Sequence, residues 1–433
     1  MSGLKFEFDW IDSPCRTSPA LAATMARLTI RVDDEVVTRV WDKTARTVRD
    51  WIVTPLAPVA EWISLRWWAL LDESETSSRS SSEFRNRHVL TSAEEGFVLP
   101  SLRFVSEQDF TRLEWQPRPT RFASVDFESK GKARLARGDV RRSLSEFVDG
   151  VVARLEQQGA TDSTVCESWN AIRETTVEEE SFCRMAGRLG LDPYDLDPAR
   201  SGKLLAAAHQ IWPSLLDEFS CSICEPQLEA SLGWILEGQR QLQLHSSSST
   251  DSTFFCPEIS AATLPIPAWS RGYEIARKFR QQQQLSDQEP LAVMPLLQGE
   301  QLLPAESNDG DSGLEALVSV TEPMIYASKS WHPRSRKFQN ARALFARVSA
   351  SQSCASPCNA ALLTTAHTAW QQMSRAFAAE LLVPAAFLRG SLSKEIVRQD
   401  EISDIADSLE ISTWVVEHQI RNHRLAQIES FVE

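Results

Sequence analysis

The chain has 433 residues, 42% hydrophobic and 24% charged, with 45 Lys and Arg against 59 Asp and Glu and a formal net charge of −14. This is the composition of a soluble globular protein of two or three domains at ~150 residues each, and 14 Trp and 19 Phe supply apolar bulk for its cores. So acidic a chain does not coat DNA or an anionic membrane over its whole surface, although a local basic patch stays open to it. No apolar run reaches the ~18 residues of a membrane helix. The opening MSGLKFEFDWID lacks the basic start and apolar run of a secretory signal. The expectation is a cytoplasmic protein with no membrane partner and mostly reduced cysteines.

Residues 1–135 read as a Trp-rich mixed α/β domain. Leu28–Val32 and Glu35–Val40 are β-branched or apolar runs around Asp33-Asp34, the pattern of a hairpin. Trp41, Trp51, Trp62, Trp67 and Trp68 follow, interrupted by Pro55 and Pro58, so this stretch is not one helix. Aromatic residues at such density are expected as core anchors rather than as a ligand cage. The polar stretch Asp72–Ser82 reads as a loop. Gly96–Leu99, Leu102–Val105 and Arg112–Trp115 read as strands of an antiparallel sheet.

Residues 136–245 read as a helical region. Leu144, Phe147, Val151, Val152 and Leu155 fall at three- and four-residue spacing within Val140–Gln158. Trp169–Glu174, Glu180–Leu189 and Leu204–Phe219 are further expected helices. Glu179–Leu191 has the look of the first half of a helix-turn-helix, or simply of a turn between packed helices. A Ser-rich linker is expected at 246–255, followed by a domain over 256–433. Gln281–Gln284 reads as a solvated helix end and Ala305–Gly313 as a polar loop. There is no internal repeat.

Four features bear on chemistry. Cys221 and Cys224 form a C-x-x-C, and Cys354 and Cys358 a C-x-x-x-C; together they offer four thiolates to a structural zinc, unless the first pair is a buried helix segment. Lys130–Arg142 is a basic run, either an exposed linker or a nucleic-acid contact. Between Glu322 and Glu380 there is no acid, while Lys329, Arg334, Arg336, Lys337, Arg342, Arg347 and Arg375 are all basic. That stretch is a candidate site for an anion or a nucleic-acid backbone, or a basic face answering acids elsewhere in the chain. Finally, Ala406, Leu409, Ile411, Ser412 and Val416 follow a helix-turn-helix pattern. The second helix of that pair would carry Glu417, His418, Gln419, Arg421, Asn422 and His423, and an acidic helix precedes it; packing is expected over DNA reading. His367 reads as a packed residue. No phosphate-cradling glycine motif and no G-x-S-x-G occurs.

Pro265–Trp269, the helix Arg271–Arg280, the segment Arg375–Pro384 (RAFAAELLVP), and the closing stretch Glu401–Ala426 together resemble the ImmA/IrrE-type zinc peptidase domain, over residues 265–426. The middle match resembles that family's FAAELLMP helix. The resemblance implies a zincin fold, in which two His and a Glu of H-E-x-x-H hold zinc and activate water, and a Glu on the FAAELL helix is the third ligand. Lys337–Val348 (KFQNARALFARV) is similar to the H-E-x-x-H helix. On that alignment the first His position is Arg342, the Glu position Ala343, the second His position Ala346, and the third-ligand position Gln371. An arginine gives up no proton to a metal, alanine has no ligand atom, and glutamine is a weak neutral ligand. The implied architecture is therefore α+β: a Trp-rich N-terminal region, a central helical region and a degenerate zincin-like C-terminal domain with no metal and no cofactor. The implied function is a non-catalytic binding or regulatory protein, bacterial, with a protein partner, in stress response, phage defence or mobile-element control. The alternatives are a nucleic-acid-binding regulator using 329–347 or the terminal helices, and a cryptic zinc peptidase.

Overall fold

A computed structural model describes residues 3–12, 18–75, 81–94, 96–107, 109–245, 267–291, 301–304, 313–327, 333–350, 360–392 and 395–429. The chain is mixed α and β. Its contacts divide it into two compact units, Met1–His209 and Gln210–Glu433.

The first unit opens with β1 (Leu4–Trp10), α1 (Pro19–Ala23) and β2 (Met25–Val32). Short strands follow: β3 (Glu35–Val36), β4 (Val40–Asp42), β5 (Thr47–Arg49) and β6 (Ile52–Pro55). Then come α2 (Ala57–Leu65), α3 (Trp67–Asp72) and α4 (Ser81–His88), and the strands β7 (Ser101–Glu107), β8 (Phe110–Gln116), β9 (Val125–Phe127) and β10 (Gly131–Ala136). The helices α5 (Arg137–Gln157), α6 (Thr164–Glu174), α7 (Val177–Arg188) and α8 (Pro198–Gln210) bring the chain to the division. The hairpin read at Asp33-Asp34 is present: β2 pairs antiparallel with β3. Asp33 takes the left-handed conformation (φ 53°) that a tight hairpin turn needs. β2 also pairs with β1 and β6, and two three-stranded sheets, β10-β8-β7 and β5-β4-β9, complete the strands. Gly96–Leu99 is not a strand; pairing begins at Ser101, after Gly96 (φ 81°) and Pro100 have turned the chain.

The division does not follow the expected limits at 135 and 245, because the apolar stripe of α5 belongs to the core beneath β1. Phe147 meets Phe6 at 4.6 Å between ring centres, and Ser143 donates to the Leu4 carbonyl (2.7 Å). Trp62, Trp67 and Trp68 are buried as core anchors, with Trp67 edge-on to Trp169 at 5.0 Å. Trp51 instead lies under the Arg27 and Arg49 guanidiniums, at 5.0 and 4.4 Å. Helix α7 approaches α3 at Gly187, where a Cβ would stand 2.6 Å from the Trp68 backbone. The turn after α7 is closed by Gly190 at φ 74°.

In the second unit the expected helix Leu204–Phe219 is two, because Pro213 starts a new one and forces Trp212 into extended backbone (ψ 134°). The elements are α9 (Pro213–Ser222), α10 (Leu228–His245), α11 (Ala268–Gln282), β11 (Gln301–Pro304), β12 (Leu314–Ser319) and β13 (Met324–Ala327). They continue with α12 (Pro333–Ala350), β14 (Ala360–Thr364), α13 (Ala369–Leu382), α14 (Ala385–Ser391), β15 (Ile396–Val397), α15 (Gln399–Ser408), α16 (Thr413–Asn422) and β16 (Gln427–Ile428). The main sheet has the order β11-β13-β12-β14, with β11 parallel to β13 and the other pairs antiparallel. Phe279, Phe345 and Phe377 join α11, α12 and α13 in one core. Helices α11 and α13 cross closely at Gly272, where a Cβ would stand 2.4 Å from the Met373 carbonyl oxygen. The Ser-rich linker at 246–255 lies outside the described residues. Among the described residues no helix is long and apolar enough to cross a membrane.

Candidate functional site

Helices α12 and α13 bring Arg342 and Gln371 together. Arg342 Nη2 donates to Gln371 Oε1 at 2.6 Å, although the two are separated by 29 residues in sequence. Both side chains are buried. The start of α13 is fixed locally by its N-cap: the Thr368 hydroxyl accepts from Gln371 N (3.2 Å) and donates to the Glu218 carboxylate (2.8 Å). Gln371 then spends its whole amide. Its Nε2 donates to Leu362 O (2.7 Å) and Glu218 Oε2 (3.2 Å), while its Oε1 accepts from Arg342 and from Thr364 N (3.2 Å).

Arg342 is equally saturated. Nε donates to Ser374 Oγ (3.3 Å), Nη1 to Gln339 Oε1 (3.0 Å) and to the Glu315 carboxylate, and Nη2 to Thr364 O (3.0 Å) and Gln371. Five N–H groups meet five acceptors, the full capacity of a guanidinium. Arg375 lies against the same strand end, donating to Ala366 O (2.7 Å) and Thr364 O (3.3 Å). Burial, and then the neighbouring Arg342 charge, push its pKa down to about 10.

Ala343 and Ala346 do not share this network. They are fully buried against Ala316, Val318, Ile325 and Leu363 of the sheet. Of the four positions aligned with the zincin site, two thus form a polar cross-link and two are apolar contacts. No motif or spacing marks Glu218, Glu315, Gln339, Thr364 or Ser374 as members, since each comes from a distant segment or is unremarkable on its own helix.

The expected basic cluster is not one open face. Lys329 lies outside the described residues. Arg342 and Arg347 are buried, the latter donating to Ser319 O (3.2 Å). Arg334 pairs with Asp407 (2.8 Å), and Lys337 donates to Leu409 O (2.9 Å). Arg336 is exposed. The counter-charges Glu315 and Asp407 lie outside the acid-free window, where a local count of charge does not register them.

The helices of the closing pair are packed through the very side chains that would read DNA. Gln419 donates to Glu380 Oε2 (2.9 Å) and Val383 O (2.8 Å), Asn422 donates to Tyr273 OH (2.9 Å), and His423 Nε2 stands 3.2 Å from Glu380 Oε2. Burial works against the Glu380 carboxylate, but His423, Arg277 and Gln419 together hold its pKa down to about 2. Trp414 and Arg421 remain exposed.

Lys130–Arg142 is not a linker: it forms β10 and the start of α5. Five of its six cations are paired with acids, Lys132 with Glu114 (3.1 Å), Arg134 with Glu107 (2.8 Å), Arg137 with Asp72 (2.6 Å), Arg141 with Glu180 (3.2 Å) and Arg142 with Asp139 (2.8 Å). Cys221 is buried at the end of α9 and Cys224 half-buried beyond it; Cys354 and Cys358 lie outside the described residues. Among the described residues no three His, Cys, Asp or Glu are grouped to hold a metal ion.

No family model matches the chain, and neither a curated protein nor a solved structure does. The functional reading therefore rests on the residues themselves.

Proposed function

We propose that residues 265–426 form a degenerate ImmA/IrrE-type peptidase domain in which a guanidinium stands where that family holds its metal. On this reading the chain is a non-catalytic binding and regulatory protein of the bacterial cytoplasm, acting through a protein partner in stress response, phage defence or mobile-element control. The observation that carries it is the 2.6 Å bond between Arg342 and Gln371. Each corresponds to a different metal ligand of that family, on a different helix, and the correspondence requires the two to meet. With all five Arg342 donors and the whole Gln371 amide spent inside the protein, nothing in the cross-link is left to bind or activate water. Ala343 offers no base in place of the family's Glu.

The nucleic-acid reading has weaker support, since Arg342, Arg347, Lys337 and Arg375 are turned to carbonyls and carboxylates of their own unit. Fold-level likeness is a weak warrant for activity, so the decisive test is chemical. Elemental mass spectrometry of the purified native chain is expected to find far less than one zinc per chain. A near-stoichiometric zinc signal that survives Cys221→Ser and Cys224→Ser would place ligands elsewhere and overturn the proposal.

A further inference from the structure

A second buried charge cluster, in the first unit, is built quite differently. Asp72, at the end of α3, is the shared partner of three arginines. Arg137, from the start of α5, donates Nη2 to Oδ2 at 2.6 Å; Arg184, on α7, donates Nε to Oδ1 at 3.2 Å; Arg188, one turn further along α7, brings Nη2 to 3.7 Å from Oδ1. The Asp72 side chain is 1% exposed, while those of Arg137 and Arg184 keep 18% and 30% of their surface. Neighbouring acids are engaged: Glu73 holds Arg87 (2.6 Å) and His88 (3.1 Å), and Glu180 holds Arg141 (3.2 Å).

Arg137 and Arg184 share this single carboxylate. Burial, and then Arg184, Arg188 and Arg141, lower the Arg137 pKa in spite of Asp72. Like charges gathered so closely are unfavourable unless an anion joins them. The donors also remain unspent. Arg137 and Arg184 each use one nitrogen on Asp72, and none of their other nitrogens is both buried and unbonded, so these reach solvent. Arg184 thereby keeps both terminal nitrogens, the fork that binds a tetrahedral oxyanion through two parallel bonds. Asp72 fixes the base of that fork, so little side-chain freedom is lost on binding.

We propose that Arg137 and Arg184, oriented by Asp72 and backed by Arg188, form a binding site for a phosphate group, either inorganic phosphate or the phosphate of a small phosphoester. The site lies wholly in the first unit and does not depend on the peptidase-like reading of the second.

The test is a phosphorus NMR titration of the full chain with inorganic phosphate and, separately, glycerol 3-phosphate, at ionic strength held constant with potassium chloride. Wild type is expected to bind at least one of them saturably, and tighter binding of the ester would identify a phosphoester as the ligand. Arg184→Gln is expected to weaken binding about tenfold or more, and Arg184→Lys, which keeps the charge but loses the fork, to weaken it less. Arg137→Gln is the second, independent variant, and circular dichroism checks that each is folded. Absence of saturable binding, or equal binding by wild type and both glutamine variants, overturns the proposal.

Discussion

Asp72 in the first unit and Arg342 in the second are about equally inaccessible, at 3% and 2% exposure, yet their surroundings differ in kind. Arg342 has exchanged every water it could bind for a protein acceptor, in a setting of amides, hydroxyls, carbonyls and one carboxylate. Asp72 is held by Arg137 and Arg184, whose own donors are only partly used. A closed network of the first kind fixes a fold; an open one of the second kind keeps a capacity to bind. Burial alone does not separate them. What separates them is a count of donors and acceptors at each member.

The comparison is broken most directly at Arg342. Replacing it with Met leaves Gln371, Gln339 and Glu315 without their shared donor, and is expected to cost the second unit about 3–5 kcal/mol. Urea denaturation with hydrogen exchange resolved by segment measures this, and exchange in the first unit should not change. Next in size, Glu380→Gln removes the charge that Arg277 and His423 face, at an expected cost of about 1–3 kcal/mol, with faster exchange in α16. Glu380 also sets a pH dependence. Its carboxyl is held at about 2 in the folded chain against 4.5 ordinarily, so its contribution is complete above 4.5 and fades as pH falls towards 2. In Glu380→Gln that part of the acid transition should be absent.

The first unit is expected to respond to acid earlier. Burial, against the opposing pull of Glu73, lowers the His88 pKa below 6.5, so the folded unit favours the neutral ring. Stability should then begin to fall as pH drops below 6.5, visible as faster exchange in α4 and β7 while α16 is still protected. The smallest stability effect is expected at Arg184. Its pair with Asp72 is partly exposed, and Arg184→Gln should change unfolding by no more than about 1 kcal/mol while weakening phosphate binding. If Arg184→Gln instead destabilised as strongly as Arg342→Met, the two clusters would be of one kind after all.

Local features were legible in the sequence. Asp33-Asp34 announced a turn, the spacing of Leu144, Phe147, Val151 and Leu155 announced α5, and the RAFAAELLVP stretch lies largely within α13. Pro213 divides Leu204–Phe219 although the apolar spacing continues across it. Arg342 and Gln371 were singled out only through a family pattern, and the residues completing their network were not legible at all. Glu218 stands 153 residues from Gln371, and Glu315 27 from Arg342, separations at which spacing carries no signal. The Asp72 cluster is illegible for the same reason, since Arg137 and Arg184 lie in different helices and Asp72 opens a polar stretch.

The saturation of Arg342 also constrains how this protein can change over generations. Substituting either Arg342 or Gln371 leaves the other buried and short of a partner, and the full burial of Ala343 and Ala346 against the sheet allows no larger side chain beside them without repacking. Neighbouring sequences that differ at a single one of these positions should therefore be less fit than sequences that differ at several. The cross-link behaves as a lock inherited whole or replaced whole.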